Sequence, residues 1–389
     1  MADLLKVALI IETSREYARG LLRGVSRYHR QHGPWSIFLE PHGLDDPLPS
    51  WIKTWKGDGL LARVNDYKMA EIIQSTGIPA VDVRGALSGL EMPFVGVDNR
   101  PISKLAFDHL LDCALPHFAF CGTPRGENPN QDLRCDYFVE RVQQAGLKCE
   151  VYLGKSRNVR TTDWETEQQR IAQWLSGLPK PVGVMTCHDD RGRNVLDACR
   201  RAGISVPDEV AVIGVDNDSY LCNLCTPPLT SIDVNPSRVG YEAARILSQM
   251  MAGEEVPPGP TLLGPPRGVA PRQSTDMLSV DDEDVASAIR FIRENATDGI
   301  LVQDVLGRAR KSPSTLERRI KTTLGRTIKA EITRVRLTRA KLLLCETEQP
   351  ISRIALRTGF KEPKYFCEVF RKNMGMTATA YRKQFRDID

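Results

Sequence analysis

The first 270 or so residues alternate between short apolar runs and longer stretches with helical periodicity. The run "KVALIIE" near the N-terminus is typical of a buried strand. The next stretch, "EYARGLLRGVSRYHRQHG", has apolar residues at helical spacing and ends at Gly33, as helices often do. Continuous apolar strands that alternate with amphipathic helices predict a parallel sheet covered by helices on both faces.

About ten such strands are predicted, and one sheet of that size would be large. Two smaller α/β lobes within residues 1–276 fit the pattern better. The remaining apolar runs that we interpret as strands are "WSIFLE", "GDGLLARV", "GIPAVDV", "PFVGVD", "HFAFCG", "CEVYLG", "PVGVMTC" and "VAVIGVD".

The pattern changes after about residue 253. The Pro- and Gly-rich stretch that follows excludes a helix, although "TLLGPPRGVAPRQST" is compatible with a final edge strand. The acidic "DMLSVDDED" predicts a linker at residues 277–284. From 285 to 389 the apolar spacing is helical throughout, so we predict a separate all-α domain there.

The helical segment repeats itself at an offset of 50 residues. Leu316, Ile320, Gly325 and Thr327 align with Phe366, Phe370, Gly375 and Thr377. Each half offers a short helix, a turn and a second helix, which is the helix-turn-helix arrangement. Ser312 and Pro313 have the residue types of an N-cap and a first helical position. We therefore predict two helix-turn-helix units.

The charge of the chain is unevenly distributed, although its net value is only +4. Residues 300–389 carry 21 Lys and Arg against 9 Asp and Glu, and the other 299 residues carry the remaining 32 against 40. A basic terminal module on an acidic body points first to nucleic acid. The alternative is an ordinary solvated helical surface, on which lysine side chains lay their apolar stems along the protein and keep their charged ends in water. Two copies of one apolar skeleton favour the first interpretation.

Two carboxylates mark a candidate ligand site in residues 1–276, which we call the body. Asp189 follows one predicted strand and Asp216 follows the next, at the ends where parallel sheets bind ligands. Carboxylates there can accept hydrogen bonds from the hydroxyl groups of a polyol. The alternative is that they cap helix N-termini.

The body resembles the effector domain of the LacI family, a relative of periplasmic sugar-binding proteins, over residues 5 to about 276. The similar motifs are "CHDDRG", "VPDEV", "GVDN", "PPLTSI", "VGVDNRPISKLAFDHL" and "PRQST". The resemblance implies a two-lobed fold and ligand-binding roles for Tyr17, Arg134, Asp189 and Asp216. His188 stands where the family usually has Asn.

The predicted all-α domain, residues 285–389, resembles the AraC-family DNA-binding domain. The similar residues are "RLTRAKLLL", then Ile354, Ala355, Gly359, Phe360, Tyr365, Phe366, Phe370, Arg371, Lys372, Gly375, Thr377, Tyr381 and Arg382. Ala378 replaces the Pro of the family. By position, the resemblance implies base or phosphate contacts from Ser314, Glu317 and Arg318 in the first unit, and from Lys364, Tyr365 and Glu368 in the second.

A LacI-type body with an AraC-type tail is similar to the regulators of bacterial xylose operons, which implies D-xylose as the effector and a double-stranded operator as the DNA partner. We expect a cytoplasmic, homodimeric, sugar-responsive transcription regulator. The open alternatives are a regulator that responds to another pentose or small polar ligand, and a DNA-binding protein that needs no ligand.

Other function classes find little support in the sequence. No run of about 18 apolar residues predicts a membrane span, and the N-terminus does not have the pattern of a signal peptide. No recognisable catalytic, phosphate-loop or cofactor motif appears, so we expect neither an enzyme nor a cofactor. Cys222 and Cys225 form the one C-x-x-C pair, which is too little for a zinc site.

Overall fold

The computed structural model describes residues 4–41, 43, 49–154, 164–276, 282–308 and 312–385. They form two α/β lobes and a helical domain. The strands are β1 (Lys6–Ile10), β2 (Ser36–Leu39), β3 (Gly59–Ala62), β4 (Ala80–Asp82), β5 (Pro93–Val97), β6 (His117–Gly122), β7 (Cys149–Leu153), β8 (Val182–Thr186), β9 (Val210–Val215), β10 (Thr230–Asp233), β11 (Gly259–Leu263) and β12 (Gly268–Ala270).

The strands form two separate six-stranded sheets, as expected for two lobes. The sheet of the first lobe, here called the N-lobe, has the order β11-β5-β4-β3-β1-β2 and is parallel throughout. The C-lobe sheet has the order β12-β10-β9-β8-β6-β7, and β12 alone runs antiparallel. The Pro-rich stretch therefore supplies one edge strand to each lobe.

Helices cover the two sheets and alternate with the strands. They are α1 (Glu16–His32), α2 (Tyr67–Ser75), α3 (Asn99–Asp112), α4 (Pro129–Gln144), α5 (Trp164–Gly177), α6 (Asp189–Ala202), α7 (Ser219–Leu224) and α8 (Pro236–Met251). Helices α1 and α8 pack in close contact. Their backbones are so near that a Cβ at Gly24 would lie 2.0 Å from the Ser237 carbonyl oxygen, so this position requires glycine.

Three chain segments cross between the lobes, after β5, after β10 and after β11, and hydrogen bonds tie them together. The Asp98 amide donates to the Leu263 carbonyl at 3.0 Å, and the Arg267 amide donates to the Asp233 carbonyl at 2.9 Å. Since movement between two lobes concentrates in such connections, we call these three segments the hinge.

The helical domain contains two units with separate cores, as the internal repeat predicts. Its helices are α9 (Glu283–Asn295), α10 (Val302–Leu306), α11 (Pro313–Leu324), α12 (Ile328–Glu346), α13 (Ile351–Arg357), α14 (Pro363–Met374) and α15 (Ala378–Phe385). Helices α11 and α14 are offset by 50 residues and equal in length. The 19-residue α12 runs from one unit into the other.

Some sequence-based expectations need qualification. Strand β2 is an edge strand whose four residues are all exposed, whereas its apolar run predicted burial. The first helix of the first unit, α10, has five residues. Residues 277–281 of the predicted linker lie outside the described residues, and α9 begins two residues before the predicted boundary at 285.

Candidate functional site

The loops at the carboxyl ends of the two sheets meet across a cleft. The Arg15 guanidinium in the N-lobe lies 3.1 Å from the Asp190 carboxylate in the C-lobe. The Glu16 amide donates to the Asp218 carboxylate at 3.3 Å. In a third contact between the lobes, the Asn130 side-chain amide donates to the Gly85 carbonyl at 2.8 Å. The two lobes are therefore in contact around the cleft.

Three of the four predicted ligand residues come together inside this cleft. Tyr17 lies in the first turn of α1, Arg134 on α4, and Asp216 directly after β9. Burial raises the pKa of Tyr17 to about 12, with a further contribution from the negative charge of Asp216; the positive charge of Arg134 opposes this shift. Residues from both lobes thus share one electrostatic environment.

Arg134 is held rigidly in its place. Only 6% of its surface is exposed. Its Nε donates to the Asn99 Oδ1 at 2.9 Å, and its Nη1 donates to the Cys187 carbonyl. Because a guanidinium is planar, these two bonds fix the direction in which its remaining N–H groups point.

Asp216 is the carboxylate best placed to accept a hydrogen bond from a ligand. Burial raises its pKa to about 6, although the positive charges of Arg134, Arg15 and Arg63 oppose the shift. Within the described part of the chain, no residue donates a hydrogen bond to this carboxylate. Its φ of +107° is a conformation that residues other than Gly rarely adopt, and such strain is concentrated at functional sites.

Asp189 lies behind the cleft, with its hydrogen-bonding capacity used inside the C-lobe. It is 2% exposed. The Ser231 hydroxyl donates to its Oδ1 at 2.5 Å, and the Asp218 amide donates to its Oδ2 at 2.8 Å. Burial, followed by the charge of Asp216, raises its pKa well above the usual range. This geometry fits support of the loop that carries Asp216 better than direct contact with a ligand.

The capping alternative is realised at the neighbouring residue. His188 is the N-cap of α6, and its Nδ1 accepts a hydrogen bond from the Arg191 amide at 3.1 Å. The histidine at this position therefore stabilises the start of the helix.

Sequence reasoning missed three charged residues of the N-lobe that line the same cleft. Glu12 and Arg63 form a buried ion pair, and the Arg63 guanidinium lies 5.4 Å from the centre of the Tyr17 ring. Burial lowers the pKa of Arg84 to about 10, and the nearby charge of Arg63 adds to this effect. Glu12 and Arg63 follow the adjacent strands β1 and β3, so the strand-end rule that selected Asp216 also applies to them.

The six predicted DNA-contacting residues lie on the exposed faces of α11 and α14. Ser314, Glu317 and Arg318 are exposed on α11, and Lys364, Tyr365 and Glu368 are exposed on α14. The opposite faces of both helices are buried, with Leu316 and Ile320 in one core and Phe366 and Phe370 in the other. Each helix has Pro at its start and is followed by a Gly in the left-handed conformation.

The two units are held in a fixed relation to each other. The Arg336 guanidinium on α12 donates to the Ala296 carbonyl at 2.8 Å and to the Ile300 carbonyl at 2.7 Å. Gly359, with φ of +81°, passes so close that a Cβ there would lie 2.5 Å from the Ala296 oxygen. Gly359, one of the residues that carry the resemblance to the AraC-family domain, is therefore required by the packing between the units.

Neither a membrane span nor a metal centre is visible in the part of the chain that the structure describes. None of the described helices is long and apolar enough to cross a bilayer. Among the same residues, no group of three or more His, Cys, Asp or Glu has the arrangement of a metal site. Cys222 and Cys225 are buried, and the Cys225 thiol donates to the Leu221 carbonyl at 3.3 Å.

Three family models match successive parts of the chain. Residues 6–100 match the XylR N-terminal domain, residues 107–275 match a periplasmic binding protein-like domain, and residues 306–384 match a helix-turn-helix domain. These matches confirm the predicted fold class of a two-lobed effector domain followed by helix-turn-helix units.

The same order of domains occurs in full-length relatives. The xylose operon regulatory protein of Haemophilus influenzae is 32% identical, with 97% of this chain and 98% of the relative covered. The xylose operon regulatory protein of Escherichia coli K12 is 31% identical, with 99% of this chain and 97% of the relative covered. A solved structure described as the xylose-binding transcription activator xylR matches with a TM-score of 0.64, 30% identity and 99% coverage of both chains.

These relatives are transcription regulators, which confirms the expectation of a sugar-sensing transcription regulator that is not an enzyme. The identity extends over almost the whole of both chains, through the lobes as well as the helical domain. The chain belongs to the family of xylose operon regulatory proteins.

Proposed function

We propose that this regulator binds D-xylose in the cleft between its lobes, and that the bound sugar changes how its two helix-turn-helix units bind an operator. The observation that carries the proposal is the convergence of Tyr17, Arg134 and Asp216 from both lobes in one buried polar cluster. A ligand that touches both lobes binds the closed arrangement better than the open one, and this differential affinity drives closure.

The chemistry of the cluster suits a neutral polyol. The Asp216 carboxylate accepts hydrogen bonds from sugar hydroxyl groups, and the Arg134 guanidinium donates hydrogen bonds to sugar oxygens. The Tyr17 ring offers an apolar face to the C–H groups of the sugar ring. In this assignment Asp189 positions the Asp216 loop through its bonds to Ser231 and Asp218.

The helical domain supplies the second half of the proposed function. The exposed residues of α11 and α14 face the major groove of an operator, where the second helix of such a unit is inserted. Lys361, Lys364, Arg371 and Lys372 are all exposed and neutralise phosphates. Such a regulator acts on the chromosome and therefore in the cytoplasm.

We further propose that the active form is a homodimer that pairs through α7. Tyr220 and Leu224 lie four residues apart on this short helix and are 72% and 82% exposed. The two side chains form a small apolar surface that a second copy of the chain would remove from water. We expect Leu224→Glu to lower the mass in light scattering from dimer to monomer. A wild-type chain that stays monomeric at micromolar concentration would contradict the dimer.

Calorimetry of the full chain with a panel of pentoses tests the choice of ligand. We expect D-xylose to bind, and L-arabinose and D-ribose to bind more weakly. The hydroxyl groups of these sugars point in different directions, so fewer of them can form hydrogen bonds with the rigidly placed Arg134 and Asp216. Tight binding of another pentose, without binding of D-xylose, would replace the proposed ligand. Operator binding that no sugar changes would favour the ligand-independent alternative.

A further inference from the structure

The helical domain contacts the body at the hinge itself. In the crossover from β11 to β12, the carbonyl of Arg267 accepts a hydrogen bond of 2.8 Å from the Tyr381 hydroxyl on α15. The amide of the same residue donates to the carbonyl of Asp233, the last residue of β10, where a second crossover starts. One peptide segment therefore links the lobe-to-lobe connection to the second helix-turn-helix unit.

The other end of Tyr381 reaches the DNA-facing helix. The residue is 5% exposed, and its ring packs edge-on against Phe370 at a centroid distance of 5.5 Å. Phe370 belongs to α14, the helix that carries Lys364 and Tyr365. Because this core is closely packed, a displacement of Tyr381 is passed on to α14 with little loss.

The first unit is attached to a different part of the body. The Arg326 guanidinium before α12 lies 2.6 Å from the carboxylate of Asp112, the last residue of α3. The Arg293 guanidinium on α9 lies 3.6 Å from Asp276. Between these anchors lies a cavity of about 400 Å³, lined in part by His109, Arg293 and Arg334. The domains thus meet through separate contacts around open space.

We propose that Tyr381 is a positioning residue that transmits lobe closure to the second DNA-reading helix. Closure changes the backbone of the crossover that carries Arg267, whereas the end of α3 moves with the C-lobe as a rigid element. The two anchors then shift relative to each other, and the helical domain is reoriented on the body as one piece. The sugar-bound state in this way presents α11 and α14 in a different orientation from the sugar-free state.

This inference rests on the proposed sugar response and is tested with Tyr381→Phe, which removes the hydroxyl and keeps the buried ring. The assay is fluorescence anisotropy of the full chain on a duplex recovered by in vitro selection. It is run without sugar and with D-xylose at a saturating concentration set by calorimetry for each variant. We expect the sugar-dependent change in DNA affinity to shrink by about fivefold, the typical coupling carried by one hydrogen bond.

Tyr67→Phe is the matched control, because the Tyr67 hydroxyl also donates to a backbone carbonyl, that of Ser88, but within the N-lobe. It should respond to D-xylose like the wild type. A response in Tyr381→Phe as large as in the wild type would overturn the role of Tyr381 and leave the proposed function standing. A wild type without any response would instead remove the proposed function, and this inference with it.

Hydrogen–deuterium exchange provides a readout that does not depend on DNA binding. In the wild type, D-xylose should change the exchange of residues 376–384, and in Tyr381→Phe this change should disappear. Equal sugar-dependent protection of α15 in both proteins would contradict the proposed link even if the variant were less stable overall.

Discussion

The two halves of this molecule recognise their partners by opposite physical means. In the body, the candidate ligand residues are buried and come from distant parts of the chain, and burial shifts the pKa values of Tyr17 and Asp216. In the helical domain, the candidate residues are exposed and lie on two helices that repeat at an offset of 50 residues.

This difference follows from the partners. A small neutral sugar offers few contacts, so each contact must be desolvated and rigidly placed to be strong. A DNA duplex offers a continuous line of charges, and exposed side chains on a preformed helix suffice. We therefore expect mutations in the body to have large, local effects on sugar affinity, and mutations in the helical domain to have graded, salt-dependent effects on DNA affinity.

The largest expected effect is that of Asp216→Ala on sugar binding. Because this change removes one partner of a buried charged hydrogen bond, the affinity for D-xylose measured by calorimetry should fall by about 100-fold. DNA affinity without sugar should remain as in the wild type. The control Asp197→Ala removes a carboxylate on α6 that pairs with Arg200 outside the cleft. Unchanged sugar affinity in Asp216→Ala would remove this residue from the site.

The pKa of Asp216 near 6 predicts a pH dependence of sugar binding. The carboxylate accepts hydrogen bonds from both hydroxyl partners only when ionised, so D-xylose affinity should fall about fivefold between pH 6 and pH 5, and about tenfold between pH 7 and pH 5. Asp216→Asn should flatten this profile, and a wild-type profile that is flat from pH 5 to 7 would contradict the assignment.

The same raised pKa makes the stability of the sugar-free protein change with pH in the opposite direction to its sugar affinity. The folded state holds this proton more tightly than the unfolded state. Asp216 therefore contributes stability that is fully present below about pH 4, its unfolded pKa, and is lost as the pH rises through 6.

Lys364→Ala should have a smaller effect, and on DNA alone. Loss of one phosphate contact should weaken binding several-fold and reduce the slope of log affinity against log salt by about 1. Sugar affinity should stay unchanged. Lys68→Ala, which removes an exposed lysine of the N-lobe, serves as the control and should leave the slope as it is. A slope that Lys364→Ala leaves unaltered would place this lysine away from the phosphates.

The smallest expected effect concerns the ion pair across the cleft. Arg15→Gln removes the contact with Asp190, a pair of which each member is more than a third exposed on its side chain. Exposed pairs contribute about 0–1 kcal/mol, so sugar affinity should fall only two- to threefold. Arg125→Gln breaks a similar pair with Asp136 inside the C-lobe and should have no effect. A loss as large as that of Asp216→Ala would make Arg15 a direct sugar contact.

Much of the fold was predictable because buried parallel strands are continuous apolar runs. Nine segments interpreted as strands coincide with β1 to β9. The exposure of β2 was not predictable, since an apolar run does not reveal whether a strand has a neighbour on both sides. The Pro-rich stretch was ambiguous because its two strands, β11 and β12, join different sheets.

The candidate site was predictable only where position along a strand was informative. Asp216 was found because it ends a strand, whereas Tyr17 and Arg134 were proposed through family resemblance alone. Glu12 and Arg63 are 51 residues apart, and their pairing depends on the adjacency of β1 and β3. The contact of Tyr381 with Arg267 depends on how the domains dock, which periodicity within either domain does not reveal.

The central claim is that one chain couples a buried sugar site to an exposed DNA surface. Its most direct test is an anisotropy titration of a selected duplex with the wild type and with Asp216→Ala, each with and without D-xylose. The account predicts that D-xylose changes the DNA affinity of the wild type, and that Asp216→Ala binds the duplex equally well but ignores the sugar. A sugar response of equal size in both proteins would contradict it.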